Sequence, residues 1–370
     1  GKEGGEAMNL PVLPSTRGIS RTDIEWADYA VGSPFRFRDK GTGQVYPTAC
    51  VKVSAGCKNC YAESIGERFG TYLPFTKPNM DQLECFLDQG VIDHTLSFKP
   101  KPPKGETTFK NGRSRPAVFF TDTTDPFGDW VTFEQLDALF ACFALRPDVD
   151  FLLLTKRPER MAEYWSRDAG MSVRLASVLR DIVGRTDLSV WVTGKVERAI
   201  DYFDDHDGIM PNVWLGCSVE DQKTADERIP HLLKCPAAVR FVSYEPALGP
   251  VDFSRFLWAM DGARRHGRLN QLHWIIVGGE SGHDARPFNV EWGRSVVRQC
   301  ADAGVPCFVK QLGANCGHTP ERGEWFKGRY NKSADEVGYE GVRRLKSIKG
   351  SDPSEWPADL RVRQVPGGAA

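Results

Sequence analysis

From residue 115 onward the chain repeats one theme: a short apolar run rich in β-branched and aromatic residues, a polar punctuation, then a segment of helical periodicity. The runs are AVFFT (117–121), FLLLT (151–155), VWLGC (213–217), VRFVS (239–243), HWIIV (273–277) and PCFVK (306–310). Near-continuous apolar strands are buried on both faces, so these six predict a parallel sheet covered by helices, either a barrel or a doubly wound sheet. Between them, 132–145 puts Phe133, Leu136, Leu139, Phe140 and Phe143 on one stripe, and 290–303 does the same with Trp292, Val296 and Val297. That spacing predicts two helices packed on the core.

Two regions break the rhythm. Residues 71–114, rich in Pro, Lys and Gly, read as an insertion, and 314–370 as a C-terminal extension over one rim of a domain spanning 8–313. The opening seven residues, GKEGGEA, read as a tag remnant ahead of Met8 and are left out of the fold. At 370 residues, one barrel with additions is a simpler organisation than two domains.

Charge narrows the partners. Lys and Arg (48) balance Asp and Glu (49), so no global basic field marks a nucleic-acid binder and any such contact must be local. One local stretch is basic: Lys99, Lys101, Lys104, Lys110, Arg113 and Arg115. No apolar signal segment opens the sequence and no apolar run is long enough to span a bilayer, which predicts a cytoplasmic chain without a membrane partner. In such a compartment clustered thiols serve metals, while the scattered Cys85, Cys142, Cys217, Cys235, Cys300 and Cys307 read as small buried hydrophobes.

The clustered thiols are Cys50, Cys57 and Cys60, in ACVKVSAGCKNCYAE. Three thiolates ligate a metal incompletely and leave a position open for chemistry, as in an iron–sulfur cluster or a catalytic zinc. A four-ligand structural zinc completed by Cys316 or His318, and ordinary buried thiols, are the alternatives. The polar residues that follow the apolar runs add a second signal, because parallel strands all open their C-terminal ends on one face. Asp122, Thr123, Thr124 and Asp125 follow the first run; Thr155, Lys156 and Arg157 the second; Ser218, Glu220 and Asp221 the third. Tyr244 and Glu245 follow the fourth, Gly278, Gly279, Glu280 and Ser281 the fifth, and Lys310 and Gln311 the last. Each has an ordinary structural role open to it, as a helix cap or rim ion pair, but together they make a rim suited to a zwitterionic cofactor and a polar substrate.

The blocks DIEWAD, CVKVSAGCKNCYAE, LLLTKRPERM, NVWLGCSVEDQKTADERI, RFVSYEPALGP, WIIVGGESGHDARPF, GVPCFVKQLG and WPADLRVRQVP together resemble a phage and bacterial family of poorly defined function. Its members resemble radical S-adenosylmethionine (SAM) enzymes. The resemblance implies a partial (β/α)6 TIM-like barrel of the radical SAM type, a [4Fe–4S] cluster on Cys50, Cys57 and Cys60, and SAM cleaved reductively to a 5′-deoxyadenosyl radical. It implies SAM contacts from Asp122, Thr123, Thr124, Ser218 and Glu220, with Gly278, Gly279 and Glu280 also binding cofactor. Tyr244, Glu245 and Lys310 are then catalytic, and Lys156, Arg157, Arg286 and Gln311 hold substrate. Two departures stand out: six residues, not three, separate the first two cysteines, and Asn59 replaces the aromatic usual before the third, with Tyr61 just after it.

The expected function is therefore modification or rearrangement of a nucleic-acid base, of the isomerase type in phage DNA thymine hypermodification. DNA is the expected substrate and a flavodoxin or ferredoxin the expected reductant, in the host cytoplasm if the gene is a phage's. The alternatives are a radical SAM lyase repairing thymine, a small-molecule radical SAM enzyme, and a zinc- or cluster-stabilised nucleic-acid-binding protein without catalysis. Tyr244 and Cys217 are candidates for quenching a radical.

Overall fold

The computed structural model describes residues 18–68, 73–167, 174–176, 178–179, 209–258, 264–265, 268–269, 271–317, 326–327 and 343–367. Residues 1–7 and His318 lie outside them. Its main sheet has eight strands: β1 (Ser20–Arg21), β2 (Tyr29–Val31), β3 (Ala117–Phe120), β4 (Asp150–Thr155), β5 (Val213–Ser218), β6 (Val239–Tyr244), β7 (Trp274–Gly278) and β8 (Cys307–Gln311). Spatial order follows chain order from β1 to β8, and every pairing from β2 onward is parallel. A doubly wound sheet reverses direction at a switch point, and this one does not.

All six apolar runs form strands as the sequence predicts, and the two predicted helices span Phe133–Ala144 and Val290–Ala303. The first begins at a Thr132–Gln135 capping box; the second starts on the Asn289 side chain and stops at Gly304, in a left-handed conformation (φ 64°). Residue parity along each strand separates two cores. Val242 and Tyr244, like Leu215 and Cys217, join the large outer cluster with the helices, while Trp214, Phe241, Trp274 and Phe308 form an inner aromatic cluster with Trp26 and Phe119. Trp26, which precedes β2, lies 4.8 Å from Phe119 on β3 and 6.1 Å from Trp274 on β7. A flat sheet would hold those two strands far apart at about 4.8 Å per strand, so these contacts require a sheet curled into a half-barrel.

The 71–114 segment is less irregular than expected. Its strand Leu83–Leu87 pairs with Phe35–Asp39, which pairs in turn with Val45–Tyr46, and the helix Gln89–Ser97 starts on the Asp88 carboxylate. At the other end of the chain, Val309 N–H donates to Val362 O and Gln364 N–H to Cys307 O, so 362–364 runs antiparallel along β8. Among the described residues no helix is long and apolar enough to cross a membrane.

Candidate functional site

The loop carrying the three cysteines runs from the small-sheet strand Val45–Tyr46 to a helix over Tyr61–Arg68 and crosses the C-terminal mouth of the half-barrel. It is fastened to one strand end after another. Thr48 Oγ1 donates to Thr123 O, and Thr124 Oγ1 donates to Ala49 O at 2.8 Å, both at the end of β3. Arg157, after β4, donates to Val51 O at 2.9 Å. Ser54 Oγ donates to Glu220 Oε1 at 2.8 Å, after β5. Beyond β7, Arg286 donates to Ala55 O at 2.8 Å, and Asn59 Nδ2 reaches both Glu280 Oε2 and Asp284 O at 3.0 Å. Finally Tyr61 O–H donates to Asp122 O. Loop backbone that crosses a cavity must find partners somewhere, and here the strand-end side chains supply them.

All three cysteines line one cavity of about 710 Å³. Burial pushes the Cys50 thiol up to about 12; nearby Asp125 and the sulfurs of Cys60 and Cys57 push the same way, and Arg157 opposes them. Bound metal reverses that balance, since a coordinating thiol is deprotonated. Among the described residues no three His, Cys, Asp or Glu side chains are gathered closely enough to hold a single ion. Cys316 is fully buried in a two-residue strand beside Phe288–Asn289 and does not line the cavity. The donor set is three thiols around one open space, with no fourth cysteine and no histidine among the described residues that line it.

The rest of the lining is different in kind. Trp26, Phe119, Ile24 and Leu154 supply apolar surface. Beside them Thr121 has φ +71°, unusual for a β-branched residue, and its hydroxyl is buried without a partner. Burial raises the neighbouring Asp122 carboxyl to about 7, and its Oδ1 is likewise unpartnered. Lys156 Nζ stands 3.4 Å from Ser218 Oγ. Glu245 accepts from Ser243 Oγ at 3.2 Å, and Lys310 Nζ lies 3.2 Å from its Oε1 in an ion-pair contact without hydrogen-bond geometry.

The structure divides the residues read from the sequence. Cys50, Cys57, Cys60, Asp122, Thr123, Thr124, Lys156, Arg157, Ser218, Glu245, Gly279, Glu280, Lys310 and Gln311 all line the cavity. Tyr244, Glu220, Gly278 and Arg286 do not. Tyr244 points to the outer core and donates to Gly249 O, and Cys217 shares that outward parity. Glu220 is wholly buried, 3.0 Å from Arg228, under the loop it holds. A Cβ at Gly278 would stand 2.8 Å from Glu245 Oε1, and one at Gly279 2.4 Å from Leu312 O, so close packing against protein is enough to require glycine at both positions. Arg286 forms a fork on Glu280 (2.7 and 3.0 Å); burial would push the Glu280 carboxyl up, but hydrogen bonds from Arg286 and Asn59 hold it below its usual value. Arg157 and Gln311 are also engaged with protein, the latter donating to Gly279 O at 2.8 Å.

Half of the basic stretch is structural. Lys110 donates to Thr22 O and Ile24 O, Arg113 is buried over the Trp214 ring, and Arg115 pairs with Asp150 at 2.6 Å. Lys99, Lys101 and Lys104 remain exposed. The sequence reading missed Ser243, whose inward parity on β6 was the available signal, and Lys349, a lining residue from the C-terminal extension that no pattern marks.

No curated protein and no solved structure matches the chain significantly. Residues 40–345, which include the cysteine loop and every strand end from β3 to β8, match one protein family throughout, and the chain belongs to that family, described as protein of unknown function (DUF5131).

Proposed function

We propose that this protein is a radical SAM enzyme that rearranges or modifies a nucleic-acid base, with DNA as substrate and isomerisation as the reaction type. The observation that carries the reading is the presentation of three thiols by one tethered loop to a single cavity at the C-terminal mouth of a parallel half-barrel. Cys50, Cys57 and Cys60 would hold a [4Fe–4S] cluster. When bound, cluster and SAM supply one-electron cleavage chemistry and hydrogen-atom abstraction. The chain's own task is to position and to exclude water. Asp122, Lys156, Ser218, Glu245 and Lys310 offer both signs of charge to polar groups of cofactor and substrate, while Trp26 and Phe119 give a flat ring an apolar face. A small acidic electron carrier of the flavodoxin or ferredoxin type would be the reductant.

Anaerobic reconstitution followed by iron and sulfide analysis, then electron paramagnetic resonance with and without SAM, tests the reading. It requires about four irons per chain, a reduced signal that shifts on adding SAM, and loss of both in Cys57→Ser. Stoichiometric zinc without iron sinks it. Nucleosides from DNA incubated with the reduced enzyme then separate the reaction types: a product of unchanged mass but altered retention marks an isomerase, and a loss of mass a lyase.

A further inference from the structure

Arg157 lines the cavity with the three thiols, yet its guanidinium is held by protein. Arg157 has only 8% of its side chain exposed, and its guanidinium is spoken for on every side. Nη1 meets Asp125 Oδ2 at 2.9 Å, Nη2 donates to Val51 O at 2.9 Å, and the Trp130 ring lies 4.7 Å below. The Cys50 sulfur lies 3.8 Å from that same Val51 O, so the guanidinium and the thiol meet at one carbonyl. Asp125 would survive the loss of its partner, because Thr155 Oγ1, the Lys156 N–H and the Phe127 N–H also donate to it, at 2.6, 3.0 and 3.0 Å.

We propose that Arg157 sets the reduction potential of the group held by the three cysteines, by placing a fixed, buried positive charge beside the Cys50–Val51 segment, with Asp125 limiting the size of the effect. This rests on the iron–sulfur reading above. Adding one electron to such a group adds one negative charge to its thiolate cage. A buried guanidinium beside one of those sulfurs stabilises the reduced form, since net local charge is one of the means by which a protein sets cluster potentials. Water screens this charge poorly because Trp130 and the loop cover it. Arg157 is thus a positioning and tuning residue; it does not touch the substrate.

The test is an anaerobic potentiometric titration of reconstituted protein with dithionite and mediators, read by electron paramagnetic resonance, alongside iron content. Arg157→Gln is expected to keep its iron while the one-electron equilibrium shifts at least tenfold toward the oxidised form, which is about 59 mV for a single electron. Arg157→Lys restores most of the shift, because it returns the charge without the fork. Asp125→Asn moves the equilibrium the other way. If Arg157→Gln holds iron at an unchanged potential, or if Arg157→Lys matches Arg157→Gln, the proposal fails and the residue only braces the loop. Wild-type protein without iron overturns the underlying reading, and the proposal with it.

Discussion

Two neighbouring strand ends each carry a glutamate beside a cation, and they are built to opposite ends. Glu280, after β7, accepts from Arg286 N, Nε and Nη2 and from Asn59 Nδ2, all within 3.0 Å. Glu245, after β6, has one 3.2 Å hydrogen bond from Ser243 and a loosely oriented lysine 3.2 Å away. A carboxylate whose acceptor sites are filled by the protein has nothing left for a ligand, and its role is to hold something still. One left unsatisfied in a cavity is free to trade partners. The difference sorts the rim: Thr123, Thr124, Arg157, Glu220 and Glu280 face the cysteine loop and are spent on it, whereas Asp122, Lys156, Glu245 and Lys310 keep polar atoms turned to the cavity.

The sorting breaks most visibly at the tethers. Glu220→Ala strips Arg228 of its buried partner and Ser54 of its acceptor, and should cost about 3–5 kcal/mol in denaturant unfolding. A loss below about 1 kcal/mol would return Glu220 to the list of cofactor ligands. Asp122→Asn should act with the opposite sign and only at high pH. The folded-state carboxyl is raised from its ordinary 3.8 to about 7, so the folded chain pays for the ionised form. That penalty is absent below about pH 4, grows up to about pH 7 and is full above it, reaching at most about 4 kcal/mol. The variant should therefore melt higher than wild type near pH 8.5 and equally near pH 4; a pH-independent difference would show that Asp122 is solvated in the folded chain. Glu280→Gln keeps the shape but loses the charge under Arg286, and about 2 kcal/mol of stability with it, together with faster hydrogen exchange over 54–60. Glu245→Gln is the smallest expected change, within about 1 kcal/mol, because Lys310 is partly exposed and can be solvated alone. If its turnover also stays at the wild-type level, the unsatisfied side of the rim is not where the chemistry lies.

The apolar runs made most of this architecture legible, because strands buried on both faces leave an unbroken signature. The three-residue β2 has no such run, and the pairing of 362–364 with β8 depends on backbone groups that side chains do not advertise. The cysteines were visible from spacing alone. The division of the rim was not, since Ser54 meets Glu220 and Asn59 meets Glu280 across 166 and 221 residues of sequence. One error was avoidable. Counting alternate residues along Val239–Tyr244 puts Phe241 and Ser243 inside with Glu245, and Tyr244 outside.

The antiparallel contact between 362–364 and β8 has a consequence for how the chain is made. An open sheet edge is a template for foreign strands, and here its cover is encoded some fifty residues after the strand it protects. At ribosomal speeds the edge of β8 is bare for on the order of 3–10 s during synthesis. Chains shortened before Val362 would keep that exposure permanently and should accumulate as aggregates, even though every residue lining the cavity would still be present.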